Sequence, residues 1–139
     1  MVRRRLAQRR AKHSPLKDVA GMLRSFGYAA YAGLMNYTAR HPEDLTRLEP
    51  WAQLWERSAA AEFLRAYHEA AQGPDFLPPG NGDFRRLLNV FLLDKALYEV
   101  LYELNSRPTW VRIPLMGIML LVPRMNHGEG HLPRGREEN

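Results

Sequence analysis

Two carboxylates, two cations and two phenols share one ridge of a helix-forming stretch between Lys95 and Trp110. Lys95, Glu99, Glu103 and Arg107 recur every fourth residue, which stacks side chains on one helix face, and Tyr98 and Tyr102 lie beside them. Helix stability alone does not select such a row. Glu99 next to Glu103 is a like-charge pair that costs about 0.2–0.5 kcal/mol when solvated, and lysine before glutamate is the weaker order for an ion pair. Charged hydrogen-bonding groups suit sugar hydroxyls, and flat rings such as Tyr98, Tyr102 and Trp110 suit the apolar face of a sugar. A salt-bridge ladder closing this helix against a neighbour would use the same residues, so the sequence leaves both readings open. A glycosidase pair is excluded by spacing. Glu99 and Glu103 lie on one face with Cβ atoms about 5–6 Å apart, whereas glycoside hydrolysis needs carboxylates on either side of the scissile bond.

Other chemistry is thin. His127 and His131 flank Glu129, but two imidazoles and one carboxylate in a loose segment lack a third strong ligand, so no metal site is expected. No GxxxxGK phosphate loop occurs. Asp18 falls in the first turn of a helix, where a carboxylate gains about 0.3–1 kcal/mol from the macrodipole.

The elements that must hold these residues all read as helices. Ser14 and Pro15 are a cap and first-turn pair opening a helix to about Ala39, with Val19, Met22, Leu23, Phe26, Ala30 and Leu34 as its apolar stripe. Gly21, Gly27 and Gly33 weaken it by about 1 kcal/mol each, which close approach by another backbone would explain. A second helix from Glu49–Pro50 to about Ala71 carries Trp51, Trp55, Ala59, Phe63, Ala66, Tyr67 and Ala70 on its apolar face. Residues 73–82 hold three prolines and three glycines and read as a loop. The third helix, about Asp83 to Asn105, shows two stripes: Leu87, Leu88, Phe91 and Leu92, then Leu93, Leu97, Val100 and Leu104. That pattern implies burial on several sides. A short helix from Pro114 to Val122 closes the body. No stretch alternates with the period of a strand, so an all-α fold of four helices over residues 14–123 is expected, between a basic lead (1–13) and a disordered polar tail (124–139).

Composition bounds the function classes. The chain of 139 residues fits one domain or a piece of a larger one. It has no cysteine, which excludes disulfides and thiolate metal sites and suits a reducing, cytoplasmic location. The longest apolar run, Ile113 to Val122, is far shorter than the roughly 20 residues of a membrane span, and no secretory signal is recognisable. The net charge of +5 is local: Arg3, Arg4, Arg5, Arg9, Arg10 and Lys12 are six of the twenty basic residues, and the remainder of the chain is nearly neutral. The lead could meet nucleic acid through phosphate charge alone, but no aromatic interleaves it, and no nucleic-acid or membrane partner is expected.

Two long stretches carry a family likeness. SPLKDVAGMLRSFGYAA (Ser14 to Ala30) and KALYEVLYELNSRPTWVRIPL (Lys95 to Leu115) resemble the C-terminal lobe of bacterial maltokinases, in particular the maltokinase module fused behind trehalose synthase. The resemblance runs from about Arg9 to Leu121. It implies the helical C-lobe subdomain of a protein-kinase-like fold of the aminoglycoside-phosphotransferase type. The whole enzyme so implied uses ATP and magnesium to convert maltose into maltose 1-phosphate, in trehalose–glycogen metabolism. In that family the segment matching Leu6 to Pro15 follows a metal-binding Asp-Phe-Glu-Gly-Glu-Pro motif, and a His-Gly-Asp catalytic loop lies further upstream. Neither motif occurs in these 139 residues. The expectation is therefore a fragment with no catalytic residue, no metal ligand and no cofactor site of its own, inactive alone. Its partners would be maltose and the remainder of the kinase. The resemblance gives Asp18 the bracing of the catalytic loop, and places maltose against Lys95, Tyr98, Glu99, Tyr102, Glu103, Arg107 and Trp110. Asn105–Ser106 departs from the family's usual Asn-Asn or Arg-Asn before Arg-Pro, which puts one minor contact in doubt. Exposed apolar faces would suit a missing partner or self-association. The rival reading is a free-standing helical protein-interaction module.

Overall fold

Ser14 starts the first helix: its hydroxyl accepts the Leu16 N–H at 3.3 Å, and Pro15, which needs no N–H partner there, takes the first position. The computed structural model describes residues 14–71 and 81–126. The basic lead, residues 72–80 and residues 127–139, with His127 and His131, lie outside the described residues. Within them the chain forms α1 (Pro15–Thr38), α2 (Leu45–Ala70), α3 (Asn81–Ser106) and α4 (Arg112–Asn126). Short 3-10 turns at Pro42–Asp44 and Pro108–Trp110 lead into α2 and α4. No strand is present among the described residues. The body is all-α.

Packing fixes the directions. Leu16, Val19 and Ala20 at the start of α1 form one buried cluster with Phe84 and Leu88 of α3, against Phe63, Leu64 and Tyr67 near the end of α2. Tyr31 and Leu34 near the end of α1 form another with Ile113 of α4, against Leu45, Leu48 and Ala52 at the start of α2. So α1 and α3 run parallel, while α2 and α4 run back. Helix α1 is the central element, packed on α2, α3 and α4.

Several expected boundaries and faces shift. Helix α2 begins at Leu45, one turn before Glu49, so Pro50 lies inside it. Leu45 and Leu48 pack on the Tyr31–Leu34–Ile113 cluster, which holds that first turn in place despite the missing Pro50 N–H. Asn81 and Gly82, expected in a loop, open α3. Helix α4 starts at Arg112, keeps Pro114 in its first turn, passes Pro123 and ends at Asn126, beyond the expected stop. The buried row of α1 is Leu16, Val19, Ala20, Arg24, Gly27, Tyr31, Leu34 and Thr38, and Met22 faces outward. On α2 the inward groups include Gln53, Glu56 and Phe63, while Trp51 is 67% exposed and Trp55, Ala66 and Ala70 also lie outward. The second stripe of α3 is only partly covered: Leu93 and Val100 are half-buried, while Leu97 and Leu104 are exposed, as is Leu101 beside them. Close approach at the α1 glycines is found only at Gly27, and by the Glu56 side chain; Gly21 and Gly33 face open space.

Candidate functional site

Between the two apolar clusters lies a belt of charged and phenolic groups joining α1 to α3. Arg24 and Tyr28, one turn apart on α1, meet Glu99 and Glu103, one turn apart on α3. Both pairs span 75 residues of sequence, the register of two parallel helices. Arg24 Nε donates to Glu99 Oε2 at 2.9 Å, and Nη2 lies 2.9 Å from the same oxygen without a straight hydrogen bond. The Tyr28 hydroxyl donates to Glu103 Oε1 at 2.9 Å.

Arg107 closes the belt at the surface. Its Nε donates to Glu103 Oε2 at 3.0 Å and its Nη2 to Oε1 at 2.7 Å, a fork that fits the carboxylate. The guanidinium sits 4.3 Å from the Trp110 ring centre, and Trp110 stacks on Tyr28 with planes 21° apart. Burial, followed by the bond to Glu103, drives the Tyr28 phenol far above its usual range, so it remains a donor. The Glu103 hydrogen bonds also raise Arg107 further above its usual range.

The seven ridge residues thus divide. Glu99 (7% exposed) and Glu103 (1% exposed) are inside the bundle with internal partners. Lys95, Tyr98, Tyr102 and Arg107 are at the surface and Trp110 is half-buried. Lys95 Nζ lies 5.5 Å from the Tyr98 ring centre, and Arg107 lies 6.0 Å from that of Tyr102. The outward part is a row of phenols ending in an indole capped by a guanidinium. That row can stack and donate hydrogen bonds; it offers no nucleophile and no proton-transfer pair. Asp18 is exposed in the first turn of α1, apart from the belt, and adds to the upward push that burial gives the Tyr67 phenol.

Sequence reading did not find Arg24, Tyr28 or Gly117. Arg24 sits on the buried row of α1 like an intruder, and its partner lies 75 residues away, so only that misplaced charge signalled it. Gly117 of α4 makes room for the guanidinium: a Cβ there would come within 2.8 Å of Arg24 Cζ and closer to Nη1. His41, Glu43 and Asp44 also converge at the surface, where Arg47 already engages Asp44 at 2.8 Å. No protein-family model matches the chain, and no described helix is long and apolar enough to cross a membrane.

Proposed function

We propose that this chain is helical C-lobe material of a maltokinase-type phosphotransferase, cytoplasmic, which braces the kinase core and offers one wall to the acceptor sugar. One observation carries this reading. The two stretches with the family likeness, Ser14 to Ala30 and Lys95 to Leu115, are the two that dock through Arg24–Glu99 and Tyr28–Glu103. A likeness whose two long motifs pack on each other as one interface is what a retained structural unit would leave. In phosphoryl transfer the protein supplies mainly positioning and charge. The belt suits the positioning half of that work: Glu103 and Trp110 fix Arg107, and Tyr98 and Tyr102 line the same helix. ATP and magnesium would be held by parts of the kinase that carry the two motifs absent from this sequence. Asp18, at an exposed helix start, is in keeping with a brace for such a loop.

The test uses a full-length relative carrying the same ridge. Replacing Tyr102 or Arg107 by Ala should weaken maltose binding while leaving ATP binding intact, since a lost charged hydrogen bond costs about 1.5–3 kcal/mol. Equal loss of both affinities together with a lower melting temperature would refute the sugar wall and leave only the ladder. The 139-residue chain itself should form no maltose 1-phosphate from ATP, magnesium and maltose. The rival reading, a protein-interaction module, draws on the outward Trp51, Leu54 and Trp55 of α2. It predicts capture of a protein partner that these tryptophans, and not the α3 ridge, control.

A further inference from the structure

Arg24 also lines a partly open pocket of about 190 Å³ to which all four helices contribute. Its polar wall is Arg24 from α1 with Gln53, Glu56 and Arg57 from α2, and Leu92 and Leu120 are among its apolar lining. Arg24 gives Nε–H to Glu99 and holds Nη2 against the same carboxylate, while Nη1, beside Gly117 of the pocket wall, has no acceptor among the described residues. Glu56 has no hydrogen-bond or ion-pair partner among the described residues, although it faces the same cavity. Burial raises its carboxyl above the usual carboxylate range, against the opposing pull of Arg24 and Arg57. A cation and a carboxylate therefore line one cavity without touching.

We infer that this pocket binds a small, flat, uncharged molecule whose polar head carries an acceptor and a donor side by side, such as a primary carboxamide on an aromatic ring. The carbonyl oxygen takes the Arg24 Nη1 N–H groups, and the amide N–H₂ donates to Glu56. A carboxylate head would meet Glu56 as a like charge, and an ammonium head would meet Arg24. Size agrees with this class. An apolar cavity of about 150 Å³ admits benzene, so the larger volume here leaves room for a ring and its head group. Leu23, Leu92 and Leu120 supply the apolar contact for the ring. Gly117 matters again, because any side chain there would push Arg24 out of position.

The test is a charge series on one ring. Benzamide, benzoate and benzylamine are titrated into the full chain at pH 7.5, with chemical-shift changes at Ala60 and Ala96 as the readout. Benzamide should saturate these shifts, with the two charged probes at least about tenfold weaker, the worth of one charged hydrogen bond. Glu56→Gln should keep the fold, since it removes only an unpartnered carboxylate, and should narrow the gap between benzamide and benzoate. Ala60→Phe, which fills the pocket, should abolish binding while the melting transition persists. Equal affinity for all three probes, no saturation by benzamide at millimolar concentration, or unchanged binding in Ala60→Phe would overturn the assignment and leave a water-filled cavity.

Discussion

Glu99 and Arg24 are each about nine-tenths buried or more, and each is the other's only hydrogen-bond or ion-pair partner among the described residues. Removing one side of such a pair leaves a charge inside the bundle. Glu99→Ala should therefore cost about 3–5 kcal/mol, whereas Arg24→Met combined with Glu99→Leu should be near neutral or stabilising. Denaturant melts of the two single variants and the double variant check this, and additive losses would mean that the pair is not coupled. Glu56 behaves in the opposite sense. Its folded carboxyl binds a proton more tightly than the unfolded one, so its contribution is favourable below the ordinary carboxylate range and is lost as pH rises through the raised value. Glu56→Gln should gain stability over wild type at neutral pH, and the gain should shrink as the pH falls toward 4. A constant difference across that range would show that Glu56 is not desolvated.

Among the helices, glycine separates the two kinds of packing. Gly21 and Gly33 of α1 face open space, so Ala at either should stabilise by about 0.5–1 kcal/mol. Gly117 of α4 faces Arg24, and Gly117→Ala should lose about 1–3 kcal/mol through that collision, outweighing the helix-propensity gain. Melting temperatures that rise in all three variants would place the guanidinium elsewhere. The existence and order of the helices were legible, because cap, proline and apolar period agree: Ser14–Pro15 opens α1 as read. The faces were less legible. Met22 and Trp55 fit an apolar stripe by type, yet burial went to Arg24 and Glu56, whose partners and pocket are set by other helices. A single sequence records the period of a helix but not the rotation its neighbours impose. The ridge from Lys95 to Arg107 was legible as unusual, and its division into buried glutamates and surface phenols depends on where α1 lies.

Across the molecule, apolar groups remain uncovered on three helices. Leu97, Leu101 (64% exposed) and Leu104 recur on α3 opposite Glu99 and Glu103, while Leu115 and Met119 of α4 and Trp51 of α2 are also exposed. Such patches favour association. The purified chain should bind an apolar dye and self-associate with rising concentration in sedimentation. Leu97→Lys with Leu101→Glu should reduce both without lowering the melting temperature. A monomeric, dye-silent wild type would mean these faces are tolerated in water. The parallel belt also has a meaning in time. The turn at residues 39–44 brings α1 onto α2 locally, and Pro108–Trp110 does the same for α3 and α4, but Arg24–Glu99 and Tyr28–Glu103 must close across 75 residues. Contacts of that span form after local ones. The two hairpins should then assemble first and zip together last, so Glu99→Ala should quicken unfolding and hardly slow refolding. In a stopped-flow chevron the variant would move one limb only, and the belt would act as the latch that sets how long the folded chain persists.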